Sequence, residues 1–98
     1  MASQSNPQGT SGPESSFTIH YFAAASQYTA KNTERLPAPT TFSHLFPLLE
    51  ERYSGIRDAI LRSSGVSVDG EYVDLDDEPT RLIQPGAEVA IIPPVSSG

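Results

Sequence analysis

The chain has 98 residues, no cysteine and a formal net charge of −6. Without cysteine it can form no disulfide framework, thiolate zinc site or cysteine nucleophile, and its negative charge argues against a nucleic-acid partner. A chain of this length forms at most one domain with a modest core, so we expect no deep active site of its own.

The N-terminal region shows no targeting signal. The first basic residue is Lys31, whereas a secretory signal or a transit peptide needs earlier positive charge. No apolar run approaches the roughly 20 residues that span a bilayer. We therefore expect a soluble cytoplasmic protein with no membrane partner.

The composition divides the chain into three parts. The segment MASQSNPQGTSGPESS contains only one sizeable apolar side chain, Met1. Such a segment cannot bury enough apolar surface to offset its backbone entropy. We expect a disordered tail over residues 1–16, a folded domain over residues 17–95 and a flexible C-terminal tail over residues 96–98.

The folded part opens with a predicted hairpin. FTIHYF, residues 17–22, alternates in hydrophobicity and consists almost entirely of β-branched and aromatic residues, which predicts a strand. The polar residues 23–34 are predicted to form a turn region. RLPAP, residues 35–39, would return as a second strand, and its two prolines predict a short strand at the edge of the sheet.

The next segment has helical periodicity. In PTTFSHLFPLLEERY, residues 39–53, apolar side chains recur at the offsets of an amphipathic helix, and Thr40, Thr41 or Ser43 could cap it. Pro47 costs about 3 kcal/mol inside a helix, so we expect the helix either to start late, near Ser43, or to be kinked in its first turns. RDAILRSSG, residues 57–65, predicts a short second helix closed by Gly65.

The last third of the folded part is predicted to be β structure. VSVDGEYVDL, residues 66–75, places Asp69-Gly70 between apolar strand residues, which is a strong signal for a type I′ hairpin. A tight turn at Pro85-Gly86 leads to a final strand, whose apolar run Val89–Ile92 predicts a central position with both faces buried. The order of elements predicts an α+β fold of the β-grasp, or ubiquitin-like, kind: a mixed sheet with one main helix packed across it.

Few side chains suggest catalysis or metal binding. His20 and His44 fall in different predicted elements, and no spacing of carboxylates around them indicates a metal site, so we predict none. No glycine-rich loop follows a strand, and the serines show no nucleophile-elbow pattern. Asp69–Glu78 contains six of the twelve acidic residues. This stretch is either a solvated hairpin and loop or an acidic surface that attracts a basic protein partner.

The C-terminal segment is the remaining candidate. Gly98 has no side chain, so its carboxyl group can enter a slot in which any Cβ would collide. Ser96 and Ser97 are also small, and Pro93-Pro94 stiffens the exit from the last strand. The segment is therefore suited to insertion into a partner, although a frayed end is the alternative interpretation.

These residues also carry a family resemblance. VDGEYVDLDDEPTRLIQPGAEVAIIPPVSSG resembles the C-terminal half of the MoaD-like small subunits of molybdopterin synthase, and YFAAASQYT is similar to the start of that family. The resemblance covers about residues 17–98 and is most specific in EVAIIPPV. Two positions depart from the family pattern: Ser97 replaces the first glycine of a terminal Gly-Gly, and Asp69 stands where asparagine is common.

The resemblance implies a sulfur-carrier function. In this family an E1-like activating enzyme uses ATP to adenylate the terminal glycine carboxylate, here Gly98, and sulfur then replaces one oxygen to give a thiocarboxylate. The thiocarboxylate donates its sulfur to cyclic pyranopterin monophosphate during molybdenum cofactor biosynthesis. The chain itself would bind no cofactor stably and would have no activity alone, acting as the sulfur-donating subunit of a sulfurtransferase.

The resemblance also implies the partners. The tail, formed by Pro93, Pro94, Val95, Ser96 and Ser97, would enter the large catalytic subunit of molybdopterin synthase in a heterotetramer. Exposed apolar groups near the tail exit would form the partner patch, with Phe22 as a candidate.

Three other functions remain open from the sequence. A ubiquitin-related modifier or tRNA-thiolation carrier has the same fold, although it usually keeps the terminal Gly-Gly, and Lys31 as the sole lysine leaves almost no acceptor for chain building. A thiamin-type sulfur carrier is shorter and lacks the double proline. A passive β-grasp interaction module would tolerate deletion of Ser97 and Gly98.

Overall fold

The fold is built on a five-stranded mixed sheet, seen in a computed structural model that describes residues 15–94. Expectations for residues 1–14 and 95–98 therefore lie outside the described part. A 3₁₀ turn, Leu61–Ser63, accompanies the regular elements. In chain order these are β1 (Ser16–Tyr21), α1 (Ala24–Thr29), β2 (Thr33–Pro37), β3 (Thr40–Thr41), α2 (Phe42–Arg52), α3 (Ile56–Ala59), β4 (Gly65–Val68), β5 (Glu71–Tyr72), β6 (Leu82–Ile83) and β7 (Glu88–Ile92).

The strand order of the main sheet is β2-β1-β7-β4-β5. β1 pairs antiparallel with β2 and parallel with β7, while β4 pairs antiparallel with both β7 and β5. The last strand therefore lies centrally beside the first, and β2 forms an edge, as the sequence predicted. This topology confirms the β-grasp fold.

The core lies between this sheet and α2. Alternate residues of a strand point to opposite faces, and one face of β1 and β7 is fully buried. The main helix contributes its predicted apolar stripe to the same cluster. The largest buried contributions come from Phe17, Ile19, Tyr21, Phe42, Leu45, Leu49, Val89 and Ile91.

The main helix begins one residue before the expected late start. Thr41 is its N-cap residue but makes no side-chain capping bond; its Oγ1 instead contacts Ser43 Oγ and His44 Nδ1, each at 2.9 Å. Pro47 lies inside the helix on its exposed side. Burial of the apolar stripe thus outweighs the cost of one proline. At eleven residues it is the longest described helix, and none in residues 15–94 is long and apolar enough to cross a membrane.

The predicted turn region after β1 is wrong in part, because it contains α1. Ala25 and Thr29, four residues apart, face the core, and Thr29 Oγ1 donates a hydrogen bond to the Ala25 carbonyl oxygen at 3.0 Å. The helix ends at Thr29, and its C-cap residue Ala30 has a left-handed φ of 62°. Burial of two small side chains was enough to form a helix in a segment whose polarity suggested a turn.

Two further predictions need correction. The short second helix covers only Ile56–Ala59, and Gly65 starts β4 instead of closing a helix. β7 is central, but only Val89 and Ile91 are fully buried, whereas Ala90 and Ile92 are half-buried. The physical reason is strand alternation: Ala90 and Ile92 point to the face opposite α2.

Both predicted tight turns are present. Asp69 and Gly70 have φ of 51° and 86°, which is the type I′ conformation expected for the β4–β5 hairpin. At the second turn the Ala87 N–H donates to the Gln84 carbonyl oxygen at 3.1 Å, and Gly86 has φ of 86°. A small second sheet of β3 and β6 was not predicted, since each strand has only two residues.

Candidate functional site

The root of the C-terminal segment is fixed in the middle of the sheet. Ile91 of β7 lies opposite Tyr21 of β1, and Ile92 lies opposite Gly65 of β4. Pro93 is buried and Pro94 is exposed. Because proline has no N–H group, Pro93 and Pro94 cannot donate a hydrogen bond to a neighbouring strand. The strand β7 accordingly ends at Ile92, immediately before them. The predicted residues Val95, Ser96, Ser97 and Gly98 lie outside the described residues.

Phe22 lies beside this exit. Its backbone N–H donates to the Ile91 carbonyl oxygen at 3.2 Å, and its side chain is 50 % exposed. The His20 ring stacks against it with ring centroids 6.4 Å apart. The structure therefore places the predicted partner-patch residue next to the last strand, on the face opposite α2.

A second aromatic residue flanks the exit from the other side. Tyr72 of β5 is 73 % exposed, and its ring covers Gly65: a Cβ at Gly65 would lie 3.4 Å from Tyr72 Cε1. Sequence reasoning assigned Tyr72 to a strand but missed it as a surface residue, although its alternation with buried Val73 was a usable signal. We call Phe22, Gly65, Tyr72, Ala90 and Ile92 together the sheet-face patch.

A polar pair from β1 and β7 lies on the same face as the sheet-face patch. His20 Nε2 lies 2.9 Å from Glu88 Oε1. Arg81, which lies 3.5 Å from Glu71 and 3.6 Å from Glu78, belongs to the other face, because Glu71 alternates with Tyr72 along β5. Most of the acidic stretch that follows β5 is exposed. An apolar patch bordered by polar side chains is the usual arrangement of a protein interface.

The two histidines do not come together. His20 is in β1, and His44 is in α2, where its Nδ1 contacts Thr41 Oγ1 at 2.9 Å. Within residues 15–94, no three side chains of the metal-ligating types converge. The described part of the chain thus offers a surface and a tail root as its candidate site.

A polar cluster on the α2 side of the sheet was missed by the sequence reasoning. The nearly buried Glu34 carboxylate accepts hydrogen bonds from Tyr21 at 2.8 Å, Tyr53 at 2.7 Å and Arg52 Nη1 at 2.7 Å, and Lys31 Nζ lies 3.3 Å away. We call these five residues the Glu34 cluster. It ties β1, β2 and the end of α2 together.

The hydrogen bonds of this cluster control its ionisation. Burial of the Glu34 carboxyl would raise its pKa, but hydrogen bonds from Tyr53, Tyr21 and Lys31 outweigh burial and hold the pKa below its ordinary value. Burial, followed by the neighbouring carboxylate, raises the pKa of Tyr21 well above its ordinary value. The cluster therefore holds a carboxylate anion beside the neutral Tyr21 phenol.

The fold and this site define the class of small ubiquitin-like proteins whose C-terminal segment leaves from the central strand of a β-grasp sheet. The sequence profile of the ThiS family matches residues 19–98, and the chain belongs to that family.

Proteins similar in sequence indicate which members of this family the chain resembles. The chain is 57 % identical over 82 residues to the molybdopterin synthase sulfur carrier subunit of Aspergillus niger, covering 84 % of this chain and 93 % of the relative. The resemblance to molybdopterin synthase small subunits is thereby confirmed.

Solved structures share the fold. SAMP1 from Haloferax volcanii superposes with a TM-score of 0.69 at 20 % identity, covering 85 % of this chain and 99 % of that one. A chain in the complex of subunits 1 and 2 of molybdopterin-converting factor from Helicobacter pylori gives a TM-score of 0.63 at 16 % identity, with 85 % and 99 % covered. At such identities the likeness concerns the β-grasp architecture.

Proposed function

We propose that this chain is the sulfur carrier subunit of molybdopterin synthase and acts in molybdenum cofactor biosynthesis. The observation that carries the proposal is the 57 % identity to the Aspergillus niger subunit over 84 % of the chain. The geometry is compatible with it, because β7 anchors the root of the tail between two strands.

The chemistry resides at Gly98. An E1-like enzyme adenylates the Gly98 carboxylate with ATP, sulfur replaces the adenylate, and the resulting thiocarboxylate donates sulfur to cyclic pyranopterin monophosphate. ATP is a substrate of that enzyme, and this chain holds no cofactor. Its own contribution is delivery: a rigid root at Pro93 and a slim segment from Val95 to Gly98 that can enter a narrow active site.

The sheet-face patch is the docking surface for the large catalytic subunit in this proposal. Phe22 and Tyr72 project on either side of β7, so a partner that receives the tail covers both aromatic rings. Burial of such side chains contributes about 1.5–3 kcal/mol each. The Helicobacter pylori protein forms a complex of two molybdopterin-converting factor subunits, which supports a partner of this kind. We propose a heterotetramer with the large subunit.

The subunit acts as the sulfur-donating half of a sulfurtransferase and has no activity alone. It contributes the activated terminus, and the large subunit contributes the acid–base groups and the precursor site. Its expected location is the cytoplasm.

The alternative functions have less support. The Aspergillus niger relative favours molybdopterin synthesis over a thiamin-type or tRNA-thiolation carrier. The likeness to SAMP1 at 20 % identity concerns the fold, so it does not favour a protein modifier.

The test is reconstitution of molybdopterin synthesis from the chain, the large subunit, the activating enzyme, ATP, a sulfur donor and the precursor. Deletion of Gly98 should abolish product while the circular dichroism spectrum stays unchanged, because the core of the described residues is built from side chains between Phe17 and Ile91. Glu51→Ala, at an exposed position of α2 on the other side of the sheet, is the control and should retain activity. Product formation by the deletion variant at the wild-type rate would refute the proposal.

A further inference from the structure

The only lysine of the chain lies at the same end of the sheet as the tail exit. The Tyr21 N–H donates to the Asn32 carbonyl oxygen at 2.8 Å, and Tyr21 lies opposite Ile91. Lys31, next to Asn32, therefore lies just before the start of β2, at the same height along the sheet as the end of β7. The strand β1 separates the two. At the usual strand spacing this separation is about 10 Å.

This placement creates a chemical hazard if the terminus is activated as proposed. The six residues from Pro93 to Gly98 can extend about 20 Å, so an activated Gly98 can reach Lys31 of its own chain. An acyl adenylate reacts with a neutral amine as well as with a sulfur nucleophile. A self-linked chain would be lost to sulfur transfer.

The surroundings of Lys31 oppose that reaction. Its Nζ lies 3.3 Å from Glu34 Oε2 and 5.7 Å from the centroid of the Tyr53 ring. The carboxylate is also held by Tyr21, which donates to Oε1, and by Arg52, which donates to Oε2. Lys31 therefore meets a fixed anion and an aromatic face, both of which favour the ammonium form. Tyr53 and Glu34 accordingly raise the pKa of Lys31.

We propose that the Glu34 cluster, by its ion pair and aromatic contact with Lys31, lowers the small fraction of this lysine that is a neutral amine and thereby protects the activated C-terminus from acylating the chain's own lysine. The inference rests on the proposed function, because it needs an activated Gly98. In the suppressed reaction the Nζ lone pair attacks the Gly98 carbonyl carbon, the bond from that carbon to the adenylate oxygen breaks, and AMP leaves with the electron pair. The nitrogen releases its proton to solvent, and an isopeptide bond remains.

A purely structural role for Lys31 explains less of the arrangement. Arg52 Nη1, at 2.7 Å, already supplies Glu34 with a closer cation than Lys31. An additional exposed ion pair contributes little to stability. The presence of Lys31 as a second cation is explained if Glu34 acts to hold the lysine protonated. It is not explained if Lys31 acts to stabilise Glu34.

The first test needs no activating enzyme, so its result is independent of the proposed function. Lys31 of the folded chain competes with N-acetyl-lysine amide for a trace of acetic anhydride across a range of pH, and labelled peptides are quantified by mass spectrometry. We expect Lys31 to react severalfold more slowly near pH 8, with the midpoint of its pH–rate profile above that of the free amine. Equal rates and equal midpoints would overturn the proposal.

The second test uses activation itself. The chain is incubated with activating enzyme and ATP but without a sulfur donor, and products that have lost one water are mapped by peptide mass spectrometry. Glu34→Gln keeps one acceptor oxygen, which can replace the Oε1 that both phenols share. It removes the charge, so we expect severalfold more Lys31–Gly98 linkage than in the wild type. Glu34→Gln with Lys31→Arg is the matched control and should lose this product. Equal linkage in the wild type and in Glu34→Gln would contradict the proposal.

Folding is checked in each variant by thermal unfolding. If Glu34→Gln fails to fold, Tyr53→Phe replaces it, because it retains the ring but removes the phenol beside Lys31. We expect Tyr53→Phe to increase Lys31 acetylation in the first test, and an unchanged rate would count against the proposal.

Discussion

The two faces of the main sheet are built from the same strands but differ in what they bury. On the α2 side, β1 and β7 bury Ile19 and Ile91 completely. On the opposite side, Phe22 and Tyr72 remain exposed and Ile92 is half-buried. Because strand residues alternate between faces, the residues that stabilise the fold and those available to a partner are interleaved in sequence but separated in space.

The comparison indicates that stability and partner binding depend on different faces of the sheet, so each can be altered separately. Substitutions on the α2 side should change the free energy of unfolding, whereas substitutions on the sheet-face patch should change affinity for the partner. Single substitutions on each face can test or refine that division.

The largest expected effect is on stability. Leu45→Ala removes a completely buried side chain from α2 and should lower the free energy of unfolding by about 3 kcal/mol. Urea denaturation measures this change. Affinity for the large subunit, corrected for the folded fraction, should stay unchanged, and a large loss of affinity would show that the two faces are coupled.

On the opposite face, Phe22→Ala and Tyr72→Ala should each weaken binding to the large subunit by about 2 kcal/mol, which is about 30-fold in Kd. Isothermal titration calorimetry measures the loss, and Glu51→Ala, an exposed change on α2, is the control. Unfolding free energies should change by less than about 0.5 kcal/mol. Wild-type affinity in both aromatic variants would exclude the sheet-face patch as the docking surface.

The contribution of the Glu34 cluster, on the α2 side, to the free energy of unfolding should depend on pH. Since the pKa of Glu34 is lower in the folded than in the unfolded chain, its contribution to stability is present above the unfolded pKa of about 4.3 and is lost as pH falls through the folded value. Urea unfolding between neutral and acidic pH should show this loss. Glu34→Gln should be less stable at neutral pH and should reduce the pH dependence; an identical pH profile would contradict the assignment.

The smallest effect is expected at Ser97. Ser97→Gly restores the family's terminal Gly-Gly, and because serine is already small we expect the rate of activation to change little. Steady-state kinetics with the activating enzyme measure it. A large gain would show that the serine hinders entry of the tail.

Much of the sheet could be predicted because its signals are local. Alternation in FTIHYF, the Asp69-Gly70 turn and the apolar run of β7 each act within a few residues. The helix α1 and the two-residue strands β3 and β6 could not, since packing against distant segments decides them. The candidate site divided in the same way. Phe22 could be proposed because it belongs to FTIHYF, the predicted strand beside the last one, whereas the position of Tyr72 over Gly65 depends on the β4–β5 pairing.

The Glu34 cluster could not be predicted from the sequence. Tyr21 and Tyr53 lie 13 and 19 residues from Glu34, and no period or motif connects residues on two strands and a helix. Their meeting depends on the β1–β2 register and on where α2 ends.

The central claim is that Gly98 carries sulfur, and intact-mass spectrometry tests it most directly. The chain is incubated with the activating enzyme, ATP and a sulfur donor, and the modified peptide is located by fragmentation. The account predicts a mass gain equal to the exchange of one oxygen for sulfur, located at Gly98. An unchanged mass in the wild type and in Ser97→Gly, with the enzyme shown to be active on a carrier that ends in Gly-Gly, would contradict it.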